Sequence, residues 1–223
     1  MNLKNKIISL LFNTLKMCRS VFIFFSTQYN TIFFKLWAIA SRVPFGSKLQ
    51  CCGRVILDCL PATVSLGNNI IFVSDSVRCT ATTVYGPSRL RTFAPTARIE
   101  IADGVGMNAI SITARSRTIH IGENTMFAPN CTVVDSDFHS LWPPEGRICN
   151  PGMEQDADVH IGKNCWIGMQ SIILKGVTIG DGSVVAAGSV VTRDIPPNVL
   201  AAGVPARVLR PLNDNEGNTC VLV

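Results

Sequence analysis

Ile161, Ile167, Ile173, Ile179, Val185 and Val191 stand six residues apart without a slip. Small residues follow several of them: Gly162, Gly168, Gly180 and Ala186. The same beat recurs in Ile121, Phe127 and Val133, and in Leu60, Leu66 and Phe72. Ordinary strands alternate with a period of two and do not hold their turns at a fixed longer interval. A hexapeptide repeat is the signature of a parallel β-helix, in which each repeat makes one flat side and three close a triangular coil of about 18 residues. The branched residue points inward and stacks on its equivalent one coil along. The small residue beside it relieves crowding at the corner. The expected fold is an all-β solenoid.

Composition agrees: 47% of the 223 residues are hydrophobic and only 16% charged, as when every strand feeds one core. The nine cysteines are odd in number, irregular in spacing and without a CxxC pair, so neither a zinc cluster nor a redox couple is indicated. Read as reduced thiols, they favour the cytoplasm. Three parts follow. Residues 1–48 form a basic, apolar, helical segment. Residues 49–195 form the β-helix, with a degenerate stretch at 76–98 where Pro87 and Pro95 interrupt the pattern. Residues 196–223 form a tail, with Pro196 and Pro197 ending the solenoid. Between Val133 and Ile161 the beat fails, and residues 135–158 leave the coil as a long loop, DSDFHSLWPPEGRICNPGMEQDAD. Loops of this length in a compact domain are usually functional or disordered, and the His, Trp and Arg in this one favour function.

Residues 1–57 contain eight Lys or Arg and no acid, whereas the rest carries 12 basic and 15 acidic groups. The apolar runs Ile7–Phe12, Val21–Phe25 and Ile32–Ala40 are too short and interrupted to span a bilayer, which takes about 20 apolar residues. A secretory signal with Lys4 and Lys6 as its basic region is the weaker alternative, since no convincing small-x-small cleavage site follows. One or two amphipathic helices are expected here, lying on the inner leaflet as a peripheral membrane contact or capping the solenoid. No nucleic-acid partner is expected.

Of three histidines, His120 in IHIG and His160 in VHIG share one slot beside an inward residue and should point outward as surface positions. His139 differs: it lies in the extruded loop, two residues after Asp137, where a continued coil would have an inward apolar residue.

With IGENTMFAPNCTVVDSDFH, IGKNCWIG, ILKGVTIGDGSVVAAGSVVTRDIPPN and AAGVPARVLR, the chain resembles the hexapeptide-repeat sugar O-acetyltransferases across roughly Ile101 to Arg210. The likeness is to galactoside, maltose and nodulation-factor enzymes, and most to relatives encoded with capsule and lipopolysaccharide genes. The resemblance implies a left-handed coil, acetyl-CoA as co-substrate, a sugar or glycan acceptor, no metal, and a homotrimer with sites between neighbouring solenoids. It puts the catalytic base at His139, an oxyanion-stabilising N–H at Met169, an acceptor contact at Asn108 and an aromatic beside acetyl-CoA at Trp166. Asp135 and Asp137 are candidates to orient the imidazole or bind the acceptor. Trp142 and Arg147 are candidates to face the acceptor or a neighbouring subunit. Ala187 and Gly188 expose backbone suited to a pantetheine arm. Thr192, Arg193, Arg207 and Arg210 are candidates for the nucleotide end, whose phosphates need cations. Histidine suits deprotonation of a sugar hydroxyl near neutral pH. A cysteine nucleophile at Cys131 or Cys165 is the mechanistic alternative. Competing functions are acetylation of an antibiotic or other small molecule, a non-catalytic scaffold, and a zinc enzyme of the carbonic anhydrase kind using all three histidines.

Overall fold

The computed structural model describes residues 3–212. The tail beyond Leu212, Cys220 included, lies outside the described residues. One helix, α1 (Leu3–Ala40), precedes a left-handed parallel β-helix of three faces. The first face holds eight strands, from Gln50–Cys52 to Ala206–Pro211; the second holds six, from Val55–Asp58 to Val190–Val191; the third holds five, from Val64–Leu66 to Thr178–Ile179.

The six-residue beat becomes three stacks in register. On the first face, Cys51, Phe72, Met107, Phe127, Ile167, Val185 and Ala201 lie one above another. On the second they are Leu57, Leu90, Ile112, Val133, Ile173 and Val191. On the third they are Leu66, Ile101, Ile121, Ile161, Ile179 and Ile195. All are buried. Burying a large aliphatic side chain contributes about 1.5–3 kcal/mol, so the stacks hold the prism together against its ordering entropy. Corners between the third and first faces use Asn124, Asn164 and Asn198, all with left-handed φ near 55°, a conformation that Asn tolerates.

Three boundaries differ from the sequence reading. Leu60 is a corner residue and Leu57 the inward one, because the chain takes three extra residues between Leu57 and Leu66. The interruption is narrower than 76–98, since Ser88–Thr92 is a regular strand of the second face. Nor do Pro196 and Pro197 end the solenoid: they fit a corner, and Val199–Gly203 continues the first face parallel to Val184–Val185. Ala206–Pro211 then folds back antiparallel and covers that edge.

The opposite end is closed by α1. Thr31 Oγ1 accepts the Cys51 N–H at 3.0 Å, Trp37 Nε1 donates to the Leu57 carbonyl at 2.9 Å, and the Phe34 ring sits 5.7 Å from that of Phe72. Both polar contacts satisfy strand-edge groups of the first coil.

Corner crowding gives a first prediction. A Cβ on Gly180 would lie 2.4 Å from the Pro197 nitrogen, in backbone that cannot rotate away. Gly180→Ala is expected to cost about 1–3 kcal/mol and to lower Tm by several degrees in calorimetry. An unchanged Tm would show that the coils separate more easily than their packing implies.

Candidate active site

The extruded loop between the strands Thr132–Val134 and Val159–Ile161 occupies residues 135–158, at the corner between the second and third faces. It is tied at both ends to the turn one coil below. Asp135, fully buried, accepts N–H bonds from Arg115, Ser116 and Arg117 at 2.7, 3.0 and 2.8 Å. Burial pushes its carboxyl up, and these three donors oppose the shift. Asp158 accepts the Thr118 N–H at 2.7 Å. The buried Arg115 guanidinium grips Asp156 in bidentate fashion, at 3.0 and 2.8 Å, and also donates to the Pro151 carbonyl. Ser116 Oγ adds a bond to Asp156 at 2.5 Å. Burial raises Asp156, but bonds from Arg115, Ser116 and Ser136, with the charge of Arg115, together outweigh it and hold the carboxyl below its usual range.

His139 stands on this anchored loop and is exposed. Its Nδ1 lies 2.9 Å from the Arg147 carbonyl oxygen. A carbonyl only accepts, so in the neutral ring the proton sits on Nδ1 and Nε2 is left with a free lone pair. The Arg147 carbonyl orients the imidazole, while its guanidinium donates to the Leu141 carbonyl at 3.2 Å. Trp142 is 77% exposed on the same loop.

The Asp135 expectation is corrected, and for Asp137 the imidazole-orienting one. Asp135 neither orients the imidazole nor faces an acceptor, because it is buried and both its oxygens are held by backbone N–H groups. Asp137 pairs with Lys175 at 2.6 Å, and its carboxylate braces the loop against the next coil in place of the imidazole.

Trp166, Met169 and Ala187 converge elsewhere, at the corner between the first and second faces. With Ala81, Ala128, Gly168 and Leu200 they line an almost wholly apolar groove. Gly188 completes its backbone by donating to the Met169 carbonyl at 2.8 Å. Gly168 and Gln170 donate their N–H groups to Val185 and Pro129, whereas the Met169 N–H has no acceptor among the described residues. Trp166 also borders an adjoining hollow with Asn108, whose Nδ2 donates to the Phe127 carbonyl at 2.8 Å.

The predicted residues therefore fall into two groups. Trp166, Met169, Ala187 and Gly188 share one corner, with Asn108 close by. His139 lies at another, as do Thr192 and Arg193, which follow Val190–Val191. Arg207 and Arg210 lie on the terminal hairpin strand beside the first face, Arg207 opposite Ala202 and Arg210 opposite Leu200, a groove residue.

The sequence reading missed the segment 74–87. It folds over the groove corner, bringing Ala81 into the groove and Cys79 and Thr80 into the adjoining hollow. Tyr85 anchors it, with its N–H on Asn130 Oδ1 at 2.9 Å and its hydroxyl accepting from Gln170 Nε2. The only signal was the broken repeat itself.

Neither cysteine suits nucleophilic chemistry. Cys131 and Cys165 are buried, and burial pushes the Cys131 thiol up to about 12 and raises that of Cys165. His120 and His160 face outward from the third face and stack with ring centroids 4.6 Å apart. Among the described residues no three His, Cys, Asp or Glu side chains converge as a metal site.

Comparison with known proteins agrees with this architecture. Residues 158–193 match the family described as bacterial transferase hexapeptide (six repeats). The chain is 46% identical over 99 residues to galactoside O-acetyltransferase of Escherichia coli (strain K12), covering 44% of this chain and 47% of that one. It is 42% identical over 101 residues to the galactoside O-acetyltransferase of Lactococcus lactis subsp. lactis (strain IL1403), covering 45% and 47%. The matches thus span about half the length of these curated relatives. Among solved structures, a variant of AntD, an N-acyltransferase from Bacillus cereus in complex with dTDP-4-amino-4,6-dideoxyglucose and coenzyme A, superposes with a TM-score of 0.59 at 18% identity. That superposition covers 78% of this chain and 85% of the other, a likeness of fold.

Proposed function

We propose that this chain is a hexapeptide-repeat sugar O-acetyltransferase, moving acetyl from acetyl-CoA to a hydroxyl of a sugar in a surface polysaccharide or its precursor, in the cytoplasm. The observation that carries the reading is His139. Its Nδ1–H is spent on the Arg147 carbonyl, so an exposed Nε2 lone pair stands on an anchored loop, as a general base requires. The partial likeness to galactoside O-acetyltransferases supports the same chemistry.

In this mechanism Nε2 takes the proton of the sugar hydroxyl as its oxygen attacks the acetyl carbonyl. The resulting tetrahedral oxyanion is met by the unpaired Met169 N–H, a fixed dipole that needs no side-chain chemistry. On collapse the C–S bond breaks, and the proton on Nε2 passes to the departing thiolate. The apolar groove of Trp166, Met169 and Ala187 takes the pantetheine arm. Arg207 and Arg210, at its end, take the phosphates.

His139 does not line the Met169 groove of its own chain. In this reading the site is completed between copies, the loop of one chain reaching the groove of its neighbour in a closed trimer.

The test is transfer of labelled acetyl from acetyl-CoA to saccharides, together with a mixing experiment. Ala187→Trp, which fills the groove, is expected to raise KM for acetyl-CoA by about tenfold or more. Co-expressed with an inactive His139→Ala chain, it should restore up to about one quarter of wild-type activity, because such sites take base and groove from different chains. No acetyl transfer to any saccharide would overturn the function. Transfer without complementation would overturn the shared site.

A further inference from the structure

The helix α1 presents two unlike faces. Thr27, Thr31, Phe34 and Ala38 form the stripe buried against the first coil. Half a turn away, at the 100° step of an α-helix, Leu11, Leu15, Phe22, Phe25, Tyr29 and Leu36 are 58–72% exposed. That stripe runs most of the helix length and faces away from the solenoid. Residues 9–22 are exposed all round, so this part of α1 extends past the coil it caps. Lys16, Arg19 and Lys35 lie off the apolar stripe, towards the flanks and the solenoid side, and no acid occurs before Asp58.

We propose that the outward face of α1 seats in the surface of an anionic phospholipid bilayer, the helix lying in the plane of the headgroups. Charge decides the occupant. A second copy laid on this face would bring two acid-free segments of eight cations together, whereas an anionic surface complements them. Aromatic and aliphatic side chains on one face with cations beside them are the arrangement of an interfacial helix. No helix among the described residues is long and apolar enough to cross a membrane, so α1 lies on the bilayer. Because α1 crosses the end of the prism, binding stands the solenoid upright. From coil spacing and helix width, the His139 loop then lies about 25 Å above the lipid. Combined with the proposed function, this favours an acceptor glycan on a lipid carrier. The membrane contact itself does not depend on that function.

The experiment is co-sedimentation of the full chain with vesicles of phosphatidylcholine, with and without phosphatidylglycerol. Binding is expected only with phosphatidylglycerol, and it should weaken as salt screens it. Lys16→Ala with Arg19→Ala should weaken binding about thirtyfold, at about fivefold per cation. Phe22→Ser, Phe25→Ser and Tyr29→Ser together should abolish it while leaving the contacts of Thr31 and Phe34, the far-ultraviolet circular dichroism and soluble acetyl transfer unchanged. No sedimentation with anionic vesicles, or equal sedimentation of the triple variant, would overturn the proposal. So would a wild-type assembly larger than that of the triple variant in light scattering without lipid, since another copy would then occupy the face.

Discussion

His139→Ala is expected to lower kcat for acetyl transfer by about three orders of magnitude, within the range for loss of a general base that also returns the proton. Two consequences separate this from a merely structural effect. Coenzyme A affinity should be unchanged, because the groove of Trp166, Met169 and Ala187 takes the pantetheine arm, whereas the neighbour's His139 acts on the acceptor hydroxyl and the departing thiolate. And His139→Asn should be as inactive as Ala. An Asn amide can replace Nδ1–H as donor to the Arg147 carbonyl, so the loop stays in place, but it offers nothing at the position of Nε2. Steady-state kinetics with labelled acetyl-CoA, alongside calorimetric titration of coenzyme A, measure both. Either variant within about tenfold of wild type would place the base elsewhere.

How much of this was legible depends on the range of the interaction. The inward stacks were read directly, because each member of the Ile161 to Val191 series occupies the slot its spacing assigns. The loop bounds at 135 and 158 followed from the same arithmetic, since a missed beat marks where chain leaves the coil. The beat misled where corners differ in length: Leu60 keeps the interval, yet extra corner residues make Leu57 the inward side chain. Proline misled too, because Pro196–Pro197 suits a solenoid corner as well as an end.

The site was only half legible. Small residues at Ala187 and Gly188 marked the corner that holds the apolar groove, and the missed beat marked the loop that carries His139. What placed them on different corners is how many residues follow each strand, and that emerges only when the coil is wound. Asp135 and Asp137 looked like partners of His139 because they are near it in sequence. Loop geometry instead spends one on the backbone of residues 115–117 and the other on Lys175. The groove insert at 74–87 carries no motif. Its placement rests on Tyr85 meeting Asn130 and Gln170, contacts 45 and 85 residues apart in sequence.

The most distant of these hidden determinants is also the most consequential. Arg115 and Asp156, 41 residues apart, are both buried, and their bidentate pair pins the end of the loop that carries His139. Arg115→Leu strands the Asp156 carboxylate in the interior, with buried Asp135 adding like-charge repulsion. Breaking such a pair costs about 3–5 kcal/mol, so Tm should fall by about 10 °C. The released loop should become sensitive to protease between 135 and 158, and kcat/KM should fall about a hundredfold through misplaced His139. The pH dependence has a definite sign. In the wild type Asp156 titrates below its unfolded value, so the stability it contributes is present above the ordinary carboxylate range and is lost as pH falls through its folded value. In Arg115→Leu the unpaired buried carboxyl titrates above that range, and protonation in acid relieves its penalty. The Tm gap between the two proteins is therefore widest near neutral pH and narrows on acidification. Arg115→Leu with Asp156→Leu removes the stranded charge and should regain most of the Tm. Activity should stay low, because the Pro151 carbonyl still lacks its donor. Thermal melts across pH, limited proteolysis and kinetics on the three proteins measure each step. A Tm gap that widens in acid, or full activity in the double variant, would remove the pair from any role in positioning His139.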